Sequence, residues 1–435
     1  RTRTVFIFLF LMGLVVYLNS FDVPFHYDVI TYLKENLQIK SFGTLWEWFS
    51  EDYPRFFTGR PFLLFTFFLN YRLGGLDTFG YHFLNLLIHI VNAFLLYIVL
   101  FKYADADILS QPPLTKGERR KIAAKGEFKR GYSLKYLLAS VIFLIHPINT
   151  ESVTYISSRS SVLSAFFVLI SILCFFKATF NKFSFLIYFL SVISFLLGLS
   201  TKEAAIVTPV LLLLFDFFFV SDKDRSFKSR LKYYLPFLVI VALGFVYYSG
   251  YITRSSMYNR PWLTHILTEL KVIVEYLRLL FLPFGFNIDH DIRPSTSIDI
   301  SVVFSLIVII GLMFAAFFFR RKNKVLAFSI LWFFINLIPF MAIRIEDFMA
   351  ERWVYLASIG FSTGLAGILV LIFNKYKKTG IAAISAVIVI LGILTPLRNQ
   401  AYSSWVSLWE DAAKKSPDNL DPYLNLSVAY REGGN

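Results

Sequence analysis

Long apolar runs recur along this chain of 435 residues and alternate with short polar segments that hold most of its charges. Most runs are about 17–22 residues long, the length that an α-helix needs to cross a hydrocarbon core of roughly 30 Å. The pattern therefore predicts an all-α polytopic membrane protein with about eleven transmembrane helices. We place these spans at 5–20, 79–101, 134–145, 162–178, 183–199, 204–220, 233–251, 302–319, 325–343, 354–373 and 381–394.

The charges between the runs predict the orientation of the spans. Lys and Arg cluster around 102–130, 223–232 and 320–322, and the positive-inside rule assigns such loops to the cytoplasm. With the N-terminus inside, the span that ends at Arg320 must begin outside. The segment 267–282 before it therefore does not cross, and we predict an interfacial or re-entrant helix there. The C-terminus is then predicted to lie outside.

Two polar regions on the predicted outer face extend beyond short loops. The first, 21–78, is rich in Trp and Phe and holds an apolar stretch too short to span, which is typical of helices lying in the interface. The second, 399–435, reads as a helix, a Pro turn and a helix. It predicts either the opening of a tetratricopeptide array or a terminal amphipathic helix pair. We divide the chain into a transmembrane domain, 1–398, and an extracytoplasmic tail, 399–435.

Composition narrows the function classes. The chain is 57% hydrophobic and only 17% charged, too few charges to cover a soluble protein of this size. Its net charge is +14, but the basic residues lie in short loops between spans, so they indicate topology and not nucleic-acid binding. The chain has a single cysteine, Cys174, within an apolar run, so no disulfide can form within it.

Ionisable residues gather in the predicted outer loops, where charge near lipid is costly and commonly serves pairing or function. Asp28 follows the first span directly. A carboxylate held under apolar walls has a raised pKa and can act as a general base. Alternatively, Asp28 caps a helix that begins near Ile30.

Three basic residues in these loops are candidates for binding phosphate: Lys202, Arg352 and Arg159. A guanidinium binds phosphate through two parallel hydrogen bonds, but it also ties loops together. Lys202 precedes Glu203, and the alternative is a simple intramolecular ion pair at the start of a helix. The sequence leaves both interpretations open for all three.

The histidines of the chain are candidate metal ligands. His82 and His89 lie on one helix face with Asn85 and Asn92, and we predict that they join spans by hydrogen bonds. The triplet Asp289-His290-Asp291 could hold a metal, but alternate side chains of an extended triplet point in opposite directions. We predict no cofactor, and a divalent metal is not indicated.

Seven short motifs follow one another in order over nearly the whole chain. They are Tyr27-Asp28, Gly59-Arg60-Pro61, the run from His82 to His89, His146-Pro147 with Glu151 and Arg159, Lys202-Glu203, the run from Glu351 to Leu356 with Ser358-Ile359-Gly360, and Ser416-Pro417-Asp418-Asn419. Through them the chain resembles the GT-C superfamily of integral-membrane glycosyltransferases. The resemblance is closest to the transmembrane and tetratricopeptide-repeat O-mannosyltransferase-like family and its bacterial relatives.

The resemblance implies that a sugar moves with inversion from a polyprenyl-phosphate donor to an acceptor hydroxyl, of protein or glycan, on the extracytoplasmic side. It implies that Asp28 is the catalytic carboxylate of the first loop, which deprotonates or orients the acceptor hydroxyl, and that Lys202, Arg352 and Arg159 bind the donor phosphate. It also implies a bacterial inner membrane location, with membrane lipids as surroundings. For the acceptor and sugar pocket we expect His26, Tyr27, Arg60, His146, Glu151, Glu203, Asp289, His290 and Glu351.

The chain also departs from the family pattern. Val29 follows Asp28 where the family usually has a second acid, which makes Asp22 or Glu151 the alternative catalytic group. Two other functions compete with the transferase. A lipid-linked glycan flippase or transporter would place its charges at the midplane and show internal repeats. A scaffold that acts through the tail would leave the outer charges unexplained. Because charge gathers at one surface, we favour the transferase.

Overall fold

A computed structural model of the chain describes residues 2–26, 60–104, 127–179, 183–220, 230–254, 260–344 and 347–432. Over these ranges the secondary structure is helical, with no strand. The α-helices are α1 Thr2–Tyr17, α2 Pro61–Gly74, α3 Thr78–Val99, α4 Glu127–Ile145, α5 Thr150–Thr154, α6 Arg159–Thr179, α7 Phe185–Leu199, α8 Thr208–Phe219, α9 Leu235–Arg254, α10 Trp262–Phe281, α11 Ile300–Phe319, α12 Lys324–Met341, α13 Tyr355–Lys375, α14 Lys377–Gln400, α15 Trp405–Lys415 and α16 Leu420–Glu432.

Seven helical segments of the described ranges are long and apolar enough to cross a membrane, or eight if one bent pair is a single span. The seven contain α1, α3, α6, α11, α12, α13 and α14. The other predicted spans are largely helical, but within the described residues none of them is a single straight helix that is long and apolar enough to cross, so the count of about eleven is not confirmed. α10 is not among these segments because it carries four charged residues and is not apolar enough. This agrees with the prediction that it does not cross.

The bent pair breaks at a histidine–proline step. Leu134–Ile145 and Pro147–Thr154 meet at 51° around His146. Pro147 has no backbone N–H, and its ring excludes the preceding turn of helix. His146 fixes the bend, because Nδ1 accepts from the Ile148 N–H at 3.1 Å while Nε2 binds the Leu280 carbonyl at 3.0 Å. The bend delivers Glu151 to the end of the bundle.

The centre of the bundle is α3, which packs against α1, α4 and α6, while α13 packs against α4 and α12. The polar residues of α3 make the interhelical bonds predicted for them. His89 Nδ1 lies 2.7 Å from the Tyr355 hydroxyl, and Asn92 donates to the same oxygen at 3.0 Å. His82 Nε2 binds the Val23 carbonyl at 2.8 Å. The prediction that this row of residues joins spans is confirmed for His89 and Asn92, whereas His82 binds the segment that follows α1.

One glycine is required for the packing of α13 on α12. A methyl group at Gly360 would lie 2.6 Å from the Ser329 carbonyl oxygen and 3.0 Å from the Trp332 ring. Any side chain there would push the two helices apart. This close approach sets the position of the first turns of α13, which border the site described below.

The tail packs on the transmembrane bundle through hydrogen bonds. Lys415 donates to the Phe286 carbonyl at 2.7 Å, and Ser416 Oγ donates to the Asp289 carbonyl at 2.8 Å. Helix α14 continues to Gln400, two residues past the predicted domain boundary at 398. α15 and α16 pack against each other as a helix pair, and whether that pair opens a tetratricopeptide array stays a prediction.

Candidate active site

A small, partly open cavity lies where four helices end. It is bordered by the first turns of α6 and α13, the last turns of α12 and the turn that follows α7. Its walls include Ser161, Lys202, Asn336, Phe340 and Arg352. The predicted topology puts all four helix ends on the outer face. Two of the three residues predicted to bind phosphate therefore share one cavity.

Lys202 is a buried cation without an acidic partner in the described part of the chain. Its ammonium donates to Ser161 Oγ at 2.7 Å and lies 5.3 Å from the centre of the Phe340 ring. Only 6% of the residue is exposed. Burial and the charges of Arg60 and Arg352 lower the pKa of Lys202 to about 7. An anion bound beside Lys202 would favour the protonated ammonium, which burial disfavours, so this lysine is suited to bind an anion.

Ser161 connects Lys202 to Arg352. Its hydroxyl accepts from the Lys202 ammonium and donates to the Arg352 carbonyl at 2.9 Å. The Arg352 guanidinium is bound to Glu151, and the Arg352 backbone N–H donates to the same carboxylate at 2.9 Å. The Arg352 side chain keeps 25% of its surface exposed. One cavity thus offers an ammonium and part of a guanidinium, the two groups that bind phosphate.

Glu203 is paired with Arg60, so the simple pair with Lys202 does not form. The two bonds from the Arg60 guanidinium to the Glu203 carboxylate measure 3.1 and 2.7 Å. Arg60 immediately precedes α2, within the predicted first loop 21–78. The pair therefore ties the start of α2 to the turn that carries Lys202.

The start of the predicted first loop is also hydrogen-bonded to the rest of the chain. His26 Nε2 lies 2.8 Å from the Tyr402 carbonyl, just after α14. Burial lowers the pKa of His26 to about 4, so the ring is neutral near pH 7 and donates through Nε2. Tyr27 and Asp28 lie outside the described residues. Their roles stay predictions.

Glu351 is a second buried carboxylate, with no exposed surface. Oε1 accepts from the Asn287 N–H at 2.6 Å and lies 3.1 Å from His290 Nε2. Oε2 lies 3.6 Å from the Arg398 guanidinium. Glu351 therefore holds a loop and a turn together instead of lining the cavity.

Asp289 belongs to the surface where the tail packs. Its carboxylate accepts from Asn419 Nδ2 at 3.0 Å. Burial and the charges of Asp347 and Asp421 raise the pKa of Asp289 to about 6. The Ser416–Asn419 motif, noted in the sequence for its resemblance, thus binds the loop that contains Asp289 and His290.

Arg159 is not part of the cavity wall, although we predicted a phosphate contact. It has no exposed surface, and its guanidinium donates to Asn85 Oδ1 at 2.7 Å and to the Tyr81 carbonyl at 3.1 Å. It also lies 4.4 Å from the centre of the Phe67 ring. In this arrangement Arg159 joins α2, α3 and α6.

Replacement of Arg159 by Met is expected to destabilise the protein by about 3 kcal/mol or more, because buried acceptors on α2 and α3 lose their donors. Thermal unfolding of the purified protein in detergent measures this. The control is Arg72→Met, at an exposed arginine near the end of α2, with an expected effect under about 0.5 kcal/mol. If the Arg159 variant unfolds at the wild-type temperature but binds the donor more weakly, Arg159 is a residue of the phosphate site instead.

Two residues at this site were not predicted from the sequence. Ser161 follows Arg159 in a serine-rich stretch that reads as an ordinary helix start. Arg398 lies at the end of the last apolar run and reads as an interfacial cation. In the sequence, both residues are marked only by their place on the predicted outer face, and many other residues share that place.

The arrangement defines a helical membrane protein with a paired cationic site on one face. No family model matches the chain, and no solved structure matches it. Similar curated proteins include the nematode Caenorhabditis elegans protein O-mannosyl-transferase F38B6.6, which is 22% identical over 97% of this chain and 59% of its own length. Mouse protein O-mannosyl-transferase TMTC4 is 24% identical over 98% of this chain and 63% of its own length. Xenopus laevis protein O-mannosyl-transferase tmtc2 is 30% identical over 38% of this chain and 18% of its own length.

The homologues of this chain are thus protein O-mannosyl-transferases of the TMTC family, which confirms the resemblance found in its motifs. The chain spans about 59% and 63% of the length of the two relatives that it matches almost throughout. Those relatives come from animals, and the bacterial inner membrane stays a prediction for this chain.

Proposed function

We propose that this chain is a membrane glycosyltransferase that moves a sugar from a polyprenyl-phosphate donor to a hydroxyl group on the extracytoplasmic face. The acceptor is a protein Ser or Thr and the sugar is mannose, in keeping with the names of the relatives. The observation that carries the proposal is the cavity shared by Lys202 and Arg352.

The chemistry follows from the charge of that cavity. The acceptor oxygen forms a bond to the anomeric carbon while the bond from that carbon to the phosphate oxygen breaks. Polyprenyl phosphate leaves with the bonding electrons, and the hydroxyl proton passes to Asp28. The anomeric centre inverts because attack and departure take place on opposite faces. Cations placed at the departing phosphate stabilise its developing charge and so lower the barrier.

Two contacts of the predicted first loop favour this assignment of Asp28. His26, two residues before Asp28 in the sequence, is bound to Tyr402, and Arg60 is bound to Glu203 beside Lys202. Described residues on both sides of Asp28 in the sequence are therefore bound to the predicted outer end of the bundle.

The direct test is transfer of labelled mannose from a polyprenyl-phosphate mannose to a Ser/Thr-rich peptide by the purified chain in nanodiscs. We expect labelled peptide, with donor binding measured in parallel. Donor binding without transfer across several sugars and peptides would contradict the proposal. Movement of the labelled lipid between leaflets of vesicles, under those conditions, would support the flippase instead.

A further inference from the structure

A chain of charged groups runs from the tail to the turn that carries Arg352. Asp411, on α15, accepts from the Arg398 guanidinium at 3.0 Å and from the Lys415 ammonium at 2.7 Å. The other side of the Arg398 guanidinium faces Glu351 at 3.6 Å. Glu351 and Arg352 are neighbours in the short 3₁₀ turn Glu351–Trp353. Arg398 therefore bridges the tail and that turn.

Two of these charged groups, Arg398 and Glu351, are buried, and burying a charge costs free energy. The side chain of Arg398 is 4% exposed and that of Glu351 is fully buried. A buried ion pair adds little stability over packed apolar residues, although removing one partner is strongly destabilising. Among the described residues Glu351 Oε2 has no hydrogen-bond donor, and the cation that faces it is Arg398. The network is therefore better explained by a need to fix positions than by stability.

The turn is held from two sides. Glu151 binds the backbone and guanidinium of Arg352, whereas Glu351 is fixed by Arg398 and by the loop with Asn287 and His290. If Arg398 shifted, Glu351 would keep its contacts with Asn287 and His290 but lose the cation that faces Oε2, so the turn that presents Arg352 to the cavity would no longer be fixed on that side.

We propose that Arg398 is a positioning residue for the donor-phosphate site and that the tail helix α15, through Asp411, holds it in place. In this proposal the tail helps to fix the geometry of the donor-phosphate site. This inference rests on the proposed function, in which Arg352 binds the donor phosphate. It differs from a role for the tail in acceptor recognition, because it predicts an effect on the donor.

The test is Asp411→Asn in the full chain, with kinetics measured separately for polyprenyl-phosphate mannose and for the peptide acceptor. We expect the donor KM to rise about tenfold, a size typical of coupling through packed polar networks, with the acceptor KM unchanged. The matched control is Asp418→Asn, which breaks the exposed pair of the tail with Arg293 and should leave both values unchanged. An acceptor KM that rises while the donor KM stays constant would overturn the proposal.

Two further variants exclude a general packing defect. Arg398→Met leaves Glu351 uncompensated and is expected to lose donor binding, whereas Arg398→Lys retains the charge and should restore part of it. Asp411→Asn combined with Arg352→Lys should cost less than the sum of the two single changes, because both act on the same contact. Additive effects would mean that Arg398 does not act through Arg352.

Hydrogen exchange separates this inference from the proposed function. Asp411→Asn is expected to speed exchange at the backbone amides of 351–354, and Asp418→Asn is not. Faster exchange in a protein that transfers no sugar would preserve the positioning role and reject the transferase. Unchanged exchange in an active enzyme would reject the positioning role alone.

Discussion

Asp28→Asn is expected to lower mannose transfer by about 10²- to 10⁴-fold, the range that a positioned general base contributes. The amide is nearly isosteric with the carboxylate but cannot accept the hydroxyl proton. Donor binding should stay within about twofold, because the phosphate is assigned to Lys202 and Arg352 in the cavity. Single-turnover transfer with preloaded donor measures the chemical step apart from binding.

The matched control is Asp22→Asn, at an exposed acid of the same loop. It should retain wild-type transfer. The reverse result, with Asp28→Asn active and Asp22→Asn inactive, would assign the base to Asp22. Loss in Glu151→Gln alone would be harder to assign, because Glu151 holds Arg352. Donor binding by that variant decides between a lost base and a displaced guanidinium.

The sequence predicted the helices better than it predicted the spans. Apolar runs and basic loops located every long helix of the described ranges, since burial in lipid requires continuous apolar surface. Length was harder to predict, because His146-Pro147 bends one span and α8, with Pro209 as its second residue, begins only after a short 3₁₀ turn. Such breaks depend on the neighbours that satisfy the freed backbone groups, and those neighbours are distant in sequence.

The site shows the same limit. Arg159 and Arg352 looked equivalent, since each lies near a helix start on the predicted outer face. The structure separates them: Arg159 meets Asn85 and Tyr81 of α3, whereas Arg352 shares a cavity with Lys202. The contact partners are tens to hundreds of positions away, and periodicity within one helix carries no information about them. The chemical type of each residue was predictable, but its partner was not.

Lys202→Met is expected to reduce transfer by about 10²- to 10³-fold, the usual cost of removing one group that stabilises transition-state charge. The methionine fills the space of the lysine stem, so packing against Phe340 is retained. The control is Lys271→Met, at a half-buried lysine that lies outside the cavity and donates to the Arg293 carbonyl, with no expected change. If Lys202→Met retains wild-type donor affinity and transfer, the phosphate does not bind in this cavity.

The same lysine gives donor binding a pH dependence of known sign. Burial beside Arg60 and Arg352 lowers the pKa of Lys202 to about 7, so the empty site holds a cation below that pH and a neutral amine above it. The donor is a phosphodiester, and its own charge does not change in this range. Binding above pH 7 must therefore take up a proton, and the donor Kd should rise by up to about tenfold per pH unit until the pKa of the occupied site is reached.

Lys202→Arg tests that assignment. A guanidinium stays protonated throughout the range, so the variant should bind donor with an affinity that does not change between pH 6 and about 9. Isothermal titration in two buffers of different ionisation enthalpy would count the proton taken up by the wild type and show none for the variant. The same rise of Kd with pH in both proteins would place the titrating group elsewhere and leave Lys202 as an ordinary buried cation.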